Sequence, residues 1–172
     1  MKYSGLYKND FAAAPGTNVT LFVSGCHLHC PGCHNPEAQD FNFGQEFTYD
    51  TTLEIIDALK ANGIQRNLCI MGGEPLAEEN QECILGLMVD VKEELPDTPI
   101  YIWTGYTYEK LQAEIADEIF PATDLQWILE HTDILVDGPY VQEERDVTLL
   151  MRGSRNQRVL HLVGGKILNE IK

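Results

Sequence analysis

Apolar and polar positions alternate along this chain in two rhythms, and the rhythms take turns. Asn18–Gly25 (NVTLFVSG) is β-branched and apolar and closes on Ser-Gly, which predicts a strand. Thr51–Ala61 spaces its apolar residues as a helix does, behind a Thr51/Glu54 capping-box pattern and ahead of Gly63, placed to end it. Asn67–Met71 is a continuous apolar run, predicted as a strand buried on both faces and broken at Gly72-Gly73-Glu74-Pro75. A helix is expected over Glu78–Leu95, a third strand over Pro99–Thr104, helical segments over Tyr108–Ile119 and Asp124–His131, a fourth strand over Asp133–Val136 and a fifth over Arg158–Val163.

Strands that alternate with helices imply right-handed βαβ units and an α/β fold with a parallel sheet. A closed eight-stranded barrel takes about 250 residues, so 172 residues supply a partial, open (β/α) barrel, read as one domain over residues 1–172. The unusual residues then collect in one place. The cysteine loop after the first strand, Gly72-Gly73-Glu74, Thr104-Gly105-Tyr106 and Asp137-Gly138 all follow predicted strands, at the edge where parallel sheets assemble their sites.

Within FVSGCHLHCPGCHN, Cys26, Cys30 and Cys33 stand in the spacing C-x3-C-x2-C. So short a loop can wrap three thiolates around one face of an iron–sulfur cluster, and it lacks the apolar character of a core segment. Zinc held by the three cysteines and His27, His29 or His34 is the rival metal. A four-cysteine electron-transfer cluster completed by Cys69 or Cys83 is another, although both of these sit in predicted core elements. Five cysteines is an odd number, which argues against a disulfide framework. Charge narrows the partners: 12 Lys and Arg against 27 Asp and Glu give a formal charge of −15, which repels phosphate backbones and disfavours nucleic acid. No apolar run approaches the roughly 20 residues of a membrane span, and Met1–Phe11 is polar, so a cytoplasmic protein without a membrane partner is expected.

The strand LFVSG leading into Cys26, the Pro31-Gly32-Cys33 step followed by Asn35, the Gly-Gly-Glu at 72–74 and the late stretch Arg152-Gly153-Ser154-Arg155-Asn156-Gln157-Arg158 together resemble the radical S-adenosylmethionine (SAM) superfamily. Within it, they resemble the activating components of anaerobic ribonucleoside-triphosphate reductases. The resemblance implies a [4Fe-4S] cluster on Cys26, Cys30 and Cys33, whose open iron is chelated by SAM. It implies further that Gly72, Gly73 and Glu74 meet the SAM ammonium, that Gly32, Cys33 and His34 line its adenine side, and that Thr104 and Asp137 contact its ribose or amino acid groups. A side chain at Gly73 should then obstruct SAM without disturbing the cluster ligands. The implied reaction is reductive cleavage of SAM and generation of a glycyl radical on the large component of the reductase, with a flavodoxin- or ferredoxin-type electron donor. No Ser/His/Asp or paired-carboxylate constellation competes with that chemistry. Two features depart from the family pattern: Ala13-Ala14-Pro15-Gly16-Thr17 replaces a Gly- and Arg-containing stretch, and His34 replaces an aromatic residue after the third cysteine. A small-molecule radical SAM enzyme of the deazaguanine-forming type, and a non-catalytic zinc or iron–sulfur module, are the alternative functions.

Overall fold

The computed structural model describes residues 1–117 and 124–171. In chain order the elements are β1 (Lys2–Asp10), β2 (Thr17–Val23), β3 (Gln45–Glu46), α1 (Tyr49–Lys60), β4 (Arg66–Gly72), α2 (Glu78–Glu94), β5 (Ile100–Trp103), α3 (Tyr108–Asp117), α4 (Asp124–Glu130), β6 (Ile134–Asp137), β7 (Arg158–Val163) and β8 (Lys166–Ile171). The eight strands form one sheet in the order β3-β1-β2-β4-β5-β6-β7-β8.

The expected parallel sheet needs correction. Only the middle four strands, β2-β4-β5-β6, are parallel. The flanks are antiparallel, β1 between β3 and β2 on one side and β7 between β6 and β8 on the other, so the fold is α/β with a mixed sheet. The physical reason lies in the connections: β7 and β8 are joined by the two-residue turn Gly164-Gly165, both at positive φ, too short for a crossover helix. Helix α1 begins ahead of the expected Thr51, because Thr48 is its N-cap and Thr51 accepts a hydrogen bond from the Thr48 amide (3.2 Å). The expected end of α3 at Ile119 lies outside the described residues.

Strand alternation builds the core. Val19, Leu21 and Val23 of β2, Leu68 and Ile70 of β4, and Ile100 and Ile102 of β5 are buried in one cluster with Ile55 of α1, Leu87 of α2, Leu111 of α3 and Leu129 of α4. The alternate residues Phe22, Met71 and Trp103 belong to the opposite face of the sheet, and there they line a cavity. No helix among the described residues is long and apolar enough to cross a membrane.

Candidate functional site

Strands β2 and β4 run parallel in a register that sets Val23 beside Gly72, so the loops that leave them start side by side. Main-chain bonds then fasten one loop to the other, Gly73 N to Val23 O (2.8 Å) and Glu74 N to Gly25 O (2.7 Å), while Gly25 N to Ala38 O (2.7 Å) closes the cysteine loop on itself. This intimacy explains both glycines. Gly72 has φ +113°, and a Cβ on it would lie 2.6 Å from the Val23 carbonyl oxygen. A Cβ on Gly73 would drive into the Gly25 carbonyl and lie 2.8 Å from that of Ala38. The expectation that a side chain at Gly73 spares the cluster ligands is therefore corrected, since its first collision is with the root of the cysteine loop itself.

Glu74 is fully buried. Its Oε1 accepts from Thr104 Oγ1 (2.7 Å) and Leu76 N (3.0 Å), and its Oε2 from Gly105 N (2.7 Å). These are neutral donors, and among the described residues no Lys or Arg forms an ion pair with it. Burial outweighs the three hydrogen bonds and pushes its carboxyl up to about 7. Thr104, itself buried, thus bridges the Glu74 carboxylate to the end of β5.

The two loops border a cavity of about 270 Å³. Cys26, Cys30, Cys33 and His34 contribute to its wall from one side, and Gly72, Gly73, Glu74 and Thr104 from the other. Each of the three thiols is free and half-buried. Burial, with the charges of Glu74 and Cys30 adding to it, raises the Cys26 thiol above its ordinary value. Among the described residues no three His, Cys, Asp or Glu side chains gather within reach of a single ion. The thiols therefore share a cavity wall without forming a ready-made tetrahedral zinc site. Two of the histidines weighed as zinc ligands are engaged elsewhere, His27 with Glu79 (2.8 Å) and His29 with Gln39 (2.9 Å). Cys69 is fully buried within β4, its thiol pushed up to about 12 by desolvation, and Cys83 sits in α2; neither lines the cavity.

Two of the expected residues do not line this cavity. Gly32 is not on the cavity wall; it lies against the Gln142 side chain at φ +72°. Asp137 is buried behind the wall, where its carboxylate accepts from Arg158 Nε (2.9 Å), from a second nitrogen of the same guanidinium and from Tyr108 N (2.7 Å). Arg158 in turn reaches both carboxylate oxygens of Glu109, and Arg155 pairs with Asp146. The wall also includes Leu28, Met71, Trp103 and Tyr140, which no sequence reasoning had singled out. Met71 and Trp103, apolar residues at strand ends, look like core, and Leu28 and Tyr140 are single loop residues, so none of the four carries a signal of its own.

Residues 12–160 match the family model described as a 4Fe-4S single cluster domain. Over 163 residues, spanning 94% of this chain and 99% of the relative, the sequence is 39% identical to the anaerobic ribonucleoside-triphosphate reductase-activating protein of Escherichia coli (strain K12). Proteins of the same description from Vibrio cholerae serotype O1 (40% over 162 residues, 94% of this chain and 97% of the relative) and Enterobacteria phage T4 (36% over 160 residues, 92% and 93%) are similar along nearly their full lengths.

Proposed function

Because the chain belongs to the family of anaerobic ribonucleoside-triphosphate reductase-activating proteins and carries its 4Fe-4S domain, we propose that it is a radical SAM activase that generates a glycyl radical on that reductase. In this reading the sheet is a partial, open (β/α) barrel in one domain. Cys26, Cys30 and Cys33 hold a [4Fe-4S] cluster, and a flavodoxin- or ferredoxin-type protein supplies electrons. The observation that carries the proposal is the meeting, in one cavity, of three free thiols from one loop and a buried carboxylate without a cation of its own.

The donor set fits such a cluster: three thiols on a short loop, each taking one iron and leaving the fourth open. It also fits SAM, whose sulfonium carries a fixed positive charge and whose amino group donates hydrogen bonds. Glu74, solvated only by neutral donors, is the group that gains most when a cation arrives, since burial alone disfavours its charge. The backbone of Gly72 and Gly73 would face the ammonium, and Leu28, Met71 and Trp103 supply apolar surface for the adenosyl part. Cys33 and His34 stand on the same wall. Held by Cys26, Cys30 and Cys33 on one side and by the Gly72-Gly73-Glu74 turn on the other, the cluster and SAM would supply one-electron radical chemistry toward the partner's glycine. The protein's part is to orient the sulfonium and keep water from the cavity.

The test is anaerobic incubation with reductant, SAM and the reductase subunit. The expected signal is an electron paramagnetic resonance doublet that collapses to a singlet when the subunit's glycine is deuterated at Cα, with 5′-deoxyadenosine formed alongside. Cys26→Ala, Cys30→Ala and Cys33→Ala should each abolish the iron–sulfur absorbance, whereas Cys69→Ala and Cys83→Ala should keep it. SAM cleavage without any glycyl radical on the subunit would overturn the activase reading in favour of a small-molecule substrate.

A further inference from the structure

The first turn of α2 reaches the site at a point that neither the family motifs nor the cavity wall includes. Asn80 is almost wholly buried (1% exposed), and its carboxamide nitrogen donates to two main-chain carbonyls, Ser24 O (3.1 Å) and Glu74 O (3.0 Å). Ser24 is two residues before Cys26, and Glu74 closes the Gly-Gly-Glu turn. One NH2 group therefore gives one hydrogen to the root of the cysteine loop and the other to the turn opposite it. The neighbouring residues grip the same two segments from outside. Glu79 takes His27 at 2.8 Å, and Gln81 donates to Leu76 O (3.0 Å). The direct links between the two loops are main-chain bonds, so truncating Asn80 alters their separation while leaving both loop sequences intact.

We propose that Asn80 is a positioning residue that sets the distance between the thiolate loop and the SAM-binding turn, and so allows one SAM molecule to engage the open iron and Glu74 together. This rests on the functional reading above. SAM has to span the two segments, and a ligand that bridges two sites loses affinity steeply when their spacing drifts. Asn80→Ala removes both donors, and Asn80→Asp keeps the shape but turns an acceptor toward two carbonyls.

The experiment is a SAM titration of the reconstituted, reduced protein, read by the change that SAM causes in the cluster's electron paramagnetic resonance spectrum, with iron content and thermal midpoint measured on the same samples. Expected for Asn80→Ala is four irons per chain and a parental spectrum without SAM, with about tenfold more SAM required for the spectral change, the scale of one or two lost hydrogen bonds. Asn80→Asp should require more still. A SAM titration that matches the parent's overturns the proposal. So does a loss of SAM response that merely follows loss of iron and of thermal midpoint, because Asn80 would then only stabilise the fold. A parent protein whose spectrum ignores SAM overturns the radical SAM reading and this inference with it, whereas a responsive parent with a parental Asn80→Ala variant overturns the inference alone.

Discussion

Two buried carboxylates stand at the carboxyl ends of the parallel strands, Glu74 after β4 and Asp137 at the end of β6, and their surroundings differ in kind. Asp137 has its cation within the protein: Arg158 grips it with two nitrogens and extends the pairing to Glu109, while the α3 amide of Tyr108 takes what remains. Glu74 has a hydroxyl and two amides. The first arrangement is complete without a ligand and serves to fasten β6, β7 and α3 together. The second leaves a carboxylate at a cavity with its hydrogen bonds made but no cation in contact with it, Lys110 acting on it only from a distance, which is how a protein prepares for a cationic ligand without collapsing in its absence. A buried acid at a strand end is thus informative only when its counter-charge is accounted for.

The harshest way to break this contrast is to separate the loops on the Glu74 side. Gly73→Val should cost about 4 kcal/mol of folding stability and remove iron binding as well as SAM binding, because its Cβ would press on the Gly25 and Ala38 carbonyls. Gly86→Ala in α2, where a Cβ meets nothing within 4 Å, should instead be neutral or stabilising by about 0.5–1 kcal/mol. Chemical denaturation and iron analysis of the two variants separate close approach from general intolerance of glycine replacement.

A milder probe uses pH. The Glu74 carboxyl is raised from 4.5 to about 7, so its neutral form is the one that folding favours. Its contribution to stability is therefore fully present below pH 4.5, is lost as the pH rises from 4.5 to 7, and amounts to at most about 3 kcal/mol. Glu74→Gln should flatten that slope in urea unfolding of the cluster-free protein. A parental slope in the variant would assign the titration to another group.

The gentlest probe is on the other side. Arg158→Met strands Asp137 and should lower stability by about 2 kcal/mol, less than for a fully enclosed pair because the guanidinium is partly exposed. Iron content and SAM affinity should stay parental. A tenfold weaker SAM affinity would erase the distinction and return Asp137 to the site.

What could be read from the sequence follows burial closely. β2, β4, β5 and β6 announce themselves because their residues are apolar and enclosed, and the cysteine loop because its spacing has few meanings. β1 (KYSGLYKND) hides its strand character, since only Tyr3 is buried along it. β8 is exposed at five of its six positions and so lacks an inward-facing stripe, and the Gly164-Gly165 pair before it is its one local signal, that of a hairpin turn. Asn80 left no trace of itself: its partners are main-chain carbonyls, present in every residue, and their convergence depends on the fold.

The same hairpin decides how the sheet ends. β8 carries one residue more than β7 between the pairs His161↔Asn169 and Leu162↔Ile167, so Leu168 bulges from the ladder. The strand's free edge is then out of phase with any straight strand laid against it, and Lys166 and Glu170 add charge on either side of the kink. With Ile167 and Leu168 exposed, a regular edge here would be a template for runaway strand addition between copies. The single inserted residue makes the last strand a terminus of the sheet, which guards the folded chain against aggregation through its most apolar open border.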